Sequence, residues 1–547
     1  MSPSDRTQPL SWGDTFFLYL EREGQPINIA SACEFEGKIT KQACAKFVNS
    51  KLHLIPRYKQ RVVFPAFNLS LPQWELDPEF DIKNHVHEVV LKQGTDNDFK
   101  AETAKVISST LDRNRPLWDI TLVRGLKGDR TGIIFRIHHS MADGVSGVGI
   151  MNVLLDASPT PAGPAPVKPR PERPRPSDSL AMLLDQMLQS YQTFTQSALT
   201  AQNEVVNIAR EVIATVQKGH TDKLLQLVPE LVTPSERLPF NKICRGPQQI
   251  AWGELPMDDI KAIRERCGGT VNDVVLTVVT STVRRYALHH GVDLRGRYLR
   301  LIVPVNIRGD GDVTELGNRV TFMPINTPLD VADPRKLLSR ISERISFLRG
   351  AGVPELVGMF GLLVSKVPLA VQAKLVPVLT QLPLSLANMI CTNVPGPQVP
   401  LYLLGHKLMQ CHPYVPIGGE LGVNVAILSY NGIGYVGFGG DVWAVPDIER
   451  FEDLLRESFA ELREAAMSSS PVEFEETPAR RKARPRLIPE SAAKPTSPKP
   501  RMKTIPIAPT PAKRKRVTRK PVATAPDANP VPTAVEVPVQ PLASTGD

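Results

Sequence analysis

From Ser158 to Ser177 (SPTPAGPAPVKPRPERPRPS) proline falls at nearly every second or third position. A chain so punctuated sustains neither a helix nor a central strand. The segment reads as a solvated, semi-rigid linker that separates what folds before it from what folds after it. A second region of this kind runs from about Ser468 to Asp547, rich in Pro, Ala, Lys and Arg and nearly without aromatic residues. It has too little apolar surface to offset the entropy of ordering it, so a disordered tail is expected.

At 547 residues, and roughly 150 residues per domain, the chain has room for two or three domains. The expected organisation is an N-terminal domain over 1–157, the proline linker over 158–179, a helical connector over 180–235, a C-terminal domain over 236–467 and the tail over 468–547. From Pro471 onwards the tail carries 15 Lys/Arg against 7 Asp/Glu, a net of +8 out of the chain's +9. The folded part is therefore nearly neutral. Runs such as Arg480-Arg481-Lys482 and Lys513-Arg514-Lys515-Arg516 can meet anionic lipid headgroups or nucleic acid. A solvated extension with no specific partner is the alternative.

The six cysteines are scattered, with no C-x-x-C pair, which fits a reduced, cytoplasmic chain. The N-terminus has no apolar core of a secretory signal. The stretch Leu375 to Leu404 is free of charge, but Pro377, Pro383, Pro395, Pro397 and Pro400 interrupt it. A continuous lipid-facing helix of ~20 residues is not expected there, and core packing or peripheral membrane contact is the better account.

Periodicity predicts a mixed α/β fold. Strands are expected at Ile29–Phe35, Trp118–Val123, Gly132–Ile137 and Tyr298–Val305, with helices at Lys41–Leu52, Met257–Arg266, Asn272–His289 and Ile448–Ala466. One or two long amphipathic helices are expected between Leu180 and Val232. Gly422–Ser429 and Gly434–Phe438 read as paired strands, with Asn431-Gly432 favouring a tight turn between them.

The predicted strand ending at Ile137 delivers His138-His139-Ser140-Met141-Ala142-Asp143-Gly144. Acyl transfer to a hydroxyl needs a base for the hydroxyl proton, and neutral imidazole titrates in the useful range. The aspartate can orient a ring or hold the loop, and glycine lets backbone approach a donor closely. A purely structural histidine pair is the competing reading. A zinc site has less support, because no H-E-x-x-H and no nearby cysteine cluster completes a ligand set. Read from His138, the residues also spell the H-x-x-x-x-D of membrane glycerolipid acyltransferases, without the glycine-rich phosphate motif or membrane anchor that accompanies it there.

His138 to Gly144 resembles the HHxxxDG motif of the bacterial wax ester synthase/diacylglycerol acyltransferase family, within the chloramphenicol-acetyltransferase-like superfamily. Peptide-synthetase condensation domains share that motif. Further matches narrow the resemblance: Pro9-Leu10-Ser11 through Asp14-Thr15-Phe16-Phe17-Leu18, Leu111-Asp112-Arg113 to Pro116-Leu117-Trp118, Asn272-Asp273-Val274-Val275-Leu276, Pro304-Val305-Asn306-Ile307-Arg308, and Asn393-Val394-Pro395-Gly396-Pro397. They stand in the family's order over about residues 8 to 465. The D-F-G-W-G element of related plant acyltransferases is missing.

The resemblance implies two superfamily domains with a tunnel between them, and no cofactor beyond acyl-CoA as substrate. Implied acceptors are diacylglycerol or a fatty alcohol, met at a membrane or lipid-droplet surface. Residue by residue it implies His139 as general base with His138 behind it. Asp143 would hold the loop beside Gly144, and an ion pair with Arg308 would satisfy its buried charge. Asn272 would either steady an oxyanion or cap its helix. Two other readings stay open: an acyltransferase of the superfamily with a small or natural-product acceptor, and a non-catalytic lipid- or CoA-binding protein.

Overall fold

The structure, a computed structural model, describes residues 7–65, 71–141, 144–160, 233–306, 320–354, 356–358, 372 and 386–468, which lie within one unit, Met1–Glu475. The expected linker beyond residue 160, the helices between Leu180 and Val232, and the tail from residue 469 lie outside the described residues. So do Asp143 and Arg308.

In chain order the first half contains β1 (Thr7–Pro9), α1 (Trp12–Leu20), β2 (Asn28–Glu36), α2 (Lys41–Lys51), β3 (Gln60–Val63) and β4 (Gln73–Leu76). These are followed by β5 (Val86–Val90), α3 (Asp96–Ile107), β6 (Trp118–Leu126), β7 (Arg130–His138) and α4 (Gly144–Leu154). The second half opens with β8 (Gln248–Pro256), α5 (Met257–Cys267), α6 (Val271–His289), β9 (Tyr298–Asn306), β10 (Val320–Pro328) and α7 (Pro334–Gly350). It closes with β11 (Met389–Pro395), β12 (Tyr402–Leu403), β13 (His406–Tyr414), β14 (Val423–Tyr430), β15 (Ile433–Asp441) and α8 (Arg450–Met467).

Two six-stranded sheets result, ordered β12-β13-β2-β7-β6-β5 and β10-β9-β11-β14-β15-β8, beside a small sheet β1-β4-β3. β14 is buried along its whole length and β15 along all but its first residue, the pattern of strands covered on both faces. They meet in a two-residue turn, Asn431-Gly432, whose φ angles of 47° and 85° are those a type I′ hairpin requires.

The sheets do not divide where the chain does. β12 and β13 belong to the second half, yet β13 pairs antiparallel with β2 and completes the first sheet, setting Cys411 opposite Cys33. β13 also runs tightly against β15: a Cβ on Gly437 would stand 1.9 Å from the Pro413 carbonyl oxygen. Only glycine fits there. Between the lobes, Ala32, Phe99, Val123 and Ile134 pack with Ile250 and Trp252.

A buried ion pair stiffens the first sheet. Asp119 of β6 faces Arg136 of β7 as its cross-strand neighbour, and both are 7 % exposed. Arg136 Nε donates to Asp119 Oδ1 at 3.0 Å and Nη2 donates to Oδ2, while Nη1 donates to the Ser109 carbonyl at 2.7 Å. Satisfying the remaining donors in this way is what makes a buried guanidinium tolerable.

At the lobe junction His412 of β13 stacks on Trp252 at 4.6 Å and meets Tyr435 edge-on. Burial, with Lys100 nearby, lowers its pKa to about 3. The unfolded chain, with histidine near 6.5, therefore binds this proton first, and stability falls as pH drops from about 6.5 towards 3. His412→Phe is expected to flatten the acid limb of a melting-temperature profile. Parallel profiles for parent and variant between pH 7 and 4 would contradict this.

Candidate active site

β7 carries its apolar residues up to Ile137 and sets His138 at its last position, where the His138 N–H donates to the Leu117 carbonyl at 2.9 Å. The Pro116-Leu117-Trp118 element thus braces the histidine strand. Trp118 itself is fixed by a 2.8 Å bond from Nε1 to the Tyr58 carbonyl and by stacking on His85.

The two histidines occupy different environments. His138 is fully buried. Its Nδ1 accepts the Ser140 backbone N–H at 3.1 Å and lies 2.8 Å from the Ser140 hydroxyl, which can donate to it. An acceptor Nδ1 puts the hydrogen of a neutral ring on Nε2, which lies 3.5 Å from Glu21 Oε1. Burial, with Arg113 and His139 adding repulsion, holds the His138 pKa well below the usual histidine range. His139 is only partly buried. Its backbone N–H donates to the Ile27 carbonyl at 2.9 Å, and its ring stacks on Phe17 with centroids 3.9 Å apart and planes 18° from parallel.

α1 supplies much of this frame. Ser11 caps it by accepting the Asp14 N–H at 3.0 Å, and its apolar run places Phe17 under His139. Just past its end, Glu21 has a side chain only 4 % exposed. Glu21 Oε2 accepts from Arg113 Nε and Nη2 at 3.2 and 3.0 Å, and Arg113 also donates to the Leu18 carbonyl. Arg113 thus holds the Glu21 carboxylate beside the buried His138 ring, whose other nitrogen is engaged by Ser140. The sequence motifs include Arg113 and Ser140 without giving either a role, and Glu21 stands in none of them. Only the burial of Glu21 marks it out, and no spacing in the sequence encodes that.

Of the other expected residues, Gly144 opens α4, and α4 packs against β11. Asp143 and Arg308 lie outside the described residues. Asn272 is not the cap of its helix. The N-cap of α6 is Thr270, whose hydroxyl accepts the Asp273 N–H while the Asp273 carboxylate accepts the Thr270 N–H. That reciprocal capping box, with Ser342 donating to Asp273 at 3.1 Å, satisfies the helix start without Asn272. Asn272 instead accepts from Asn393 Nδ2 at 3.3 Å. Both amides line a cavity of about 360 Å³ walled by apolar residues that include Met257, Ile260, Val275 and Ile427. Its size and its few polar groups are those of a small-molecule pocket.

Solved structures share this two-lobed architecture. A wax ester synthase/diacylglycerol acyltransferase from Marinobacter aquaeolei VT8 superposes with a TM-score of 0.58 at 22 % identity, covering 84 % of this chain and all of that one. A starter condensation domain of rhizomide synthetase, solved with C8-CoA and Leu-SNAC, superposes with a TM-score of 0.51 at 14 % identity, covering 85 % and 96 %. The fold is thus that of the chloramphenicol-acetyltransferase-like acyltransferases and condensation domains.

Residues 10–275 match the wax ester synthase/diacylglycerol acyltransferase catalytic domain, and residues 316–463 match the WS/DGAT C-terminal domain. Together the two matches cover more than half of the chain, which belongs to this family and is an acyltransferase. Among its relatives, the probable diacylglycerol O-acyltransferase tgs1 of Mycobacterium tuberculosis H37Rv is 26 % identical over 462 residues, spanning 82 % of this chain and 94 % of the relative. Among the described residues no helix is long and apolar enough to cross a membrane.

Proposed function

We propose that the chain moves a long acyl group from acyl-CoA to the hydroxyl of diacylglycerol or a long-chain alcohol, with His139 as general base and no acyl-enzyme. The observation that carries this reading is the split between the histidines. His138 is buried, locked and held neutral, whereas His139 is partly exposed on a ring platform. In the proposed step the acceptor oxygen attacks the thioester carbonyl carbon as His139 takes the hydroxyl proton. The tetrahedral intermediate then expels the CoA sulfur, and the proton passes to it as the carbon–sulfur bond breaks. Asn272 is the candidate donor to the oxyanion, and the cavity it lines suits a hydrocarbon chain.

The names of the relatives support the acceptors, since they are called diacylglycerol O-acyltransferases and a wax ester synthase. Such products are insoluble in water, so the reading includes peripheral contact with a membrane or lipid droplet, assisted by the basic tail. Purified protein incubated with palmitoyl-CoA and either diolein or hexadecanol is expected to release CoA and yield triacylglycerol or wax ester. Absence of both products, with transfer to a small polar acceptor instead, would overturn the acceptor assignment.

A further inference from the structure

Asp441, at the end of β15, is fully buried, and its carboxylate accepts four backbone N–H groups. Oδ2 accepts from Arg245 at 2.9 Å and Gly246 at 2.8 Å, while Oδ1 accepts from Trp443 at 2.9 Å and Ala444 at 3.0 Å. One carboxylate thus fastens the loop before β8 to the loop after β15. Bonds to an ionised acceptor are roughly twice as strong as neutral ones, so the two loops form a rigid pair.

This rigid pair presents apolar surface to water. Trp443 is 68 % exposed, the largest exposure among the large hydrophobic residues described. Its indole covers Gly246, where a Cβ would come within 2.5 Å of Cδ1. On the partner loop Ile243 is 46 % exposed, flanked by exposed Lys242 and Arg245. Among the described residues neither cation pairs with a carboxylate. A loose loop would fold its tryptophan away from water, because the ring carries a large apolar area. Four hydrogen bonds to a buried charge prevent that here.

We propose that Trp443, Ile243, Lys242 and Arg245 form a docking surface for an anionic lipid–water interface. Indole belongs at headgroup depth, with one polar N–H on an apolar body, and lysine and arginine beside it meet headgroup phosphates. Lys242 counts against a protein partner, because lysine is depleted in protein interfaces. The proposal rests on the reading that the chain works on water-insoluble lipids, and it adds a folded contact surface to the attraction of the tail.

The test uses the full chain and vesicles of phosphatidylcholine and phosphatidylglycerol in equal parts, with bromine on the acyl chains, at about 0.5 M salt so that the attraction of the tail is screened. Parent fluorescence is expected to be quenched. Trp443→Ser is expected to lose that quenching and to bind these vesicles about tenfold more weakly, keeping the parent melting curve and its rate on a dispersed short-chain acyl-CoA and alcohol. Ile243→Ser serves as a second variant and should weaken binding in the same direction. Unquenched parent fluorescence, or equal vesicle binding by parent and both variants, would overturn the proposal. Sedimentation that shows the parent, but not Trp443→Ser, to be dimeric, again without quenching, would assign the surface to a second copy and also overturn it. Neither quenching nor vesicle binding needs turnover, so failure to find acyl transfer would sink the proposed function and leave these results interpretable.

Discussion

His139→Ala is expected to lower kcat by about 10²- to 10⁴-fold, the usual contribution of a positioned general base, with little change in the KM for acyl-CoA. The ring stands at a partly exposed position, stacked on Phe17, so the melting curve should stay closer to that of the parent than that of a variant at a fully buried position. His138→Ala should behave in the opposite sense. It removes a fully buried ring that engages Ser140 and faces Glu21, so its main cost should be stability, with a smaller loss of turnover from a displaced loop. Steady-state kinetics beside thermal melts separates the two. A His139→Ala enzyme turning over at the parent rate would remove the base from the mechanism, and a larger kcat loss for His138→Ala would transfer the role to the other ring.

Asp119→Ala is expected to destabilise the fold by about 3–5 kcal/mol, since it strands the Arg136 guanidinium inside the first sheet. Urea unfolding followed by tryptophan fluorescence would report it as a lowered midpoint. The double variant Asp119→Leu with Arg136→Met should recover most of the loss, because replacing both charges with apolar side chains removes the desolvation cost along with the attraction. A single variant within about 1 kcal/mol of the parent would mean that Arg136 reaches water once its partner is gone.

Local elements were legible because local chemistry dictates them. The short apolar runs of β2 and β7, the Asn431-Gly432 turn and the spacing of apolar residues in α8 follow from periodicity and φ preference. The N-cap of α6 stands two residues before Asn272, although an asparagine and a threonine two positions apart both make good caps. The reciprocal bond to Asp273 decides for Thr270. The histidine motif was visible in the chain, but its setting was not. Phe17, Glu21 and Arg113 converge on it from segments about a hundred residues apart, and the burial that gives Glu21 its role exists only after folding. The same holds for the cysteines: scattered in sequence, Cys33 and Cys411 face each other with sulfurs 2.7 Å apart.

The crossover of β13 carries a consequence for synthesis. A ribosome completes β2, β7 and the histidine motif long before it reaches His406–Tyr414, yet the edge of β2 has its partner only in that segment. Until then the nascent first lobe displays an unpaired strand edge, the template on which chains mispair and aggregate. Closing a contact between strands so distant in sequence is also slow. The first lobe should therefore fail as a separate expressed fragment, and its yield in the cell should depend on chaperone occupancy during elongation.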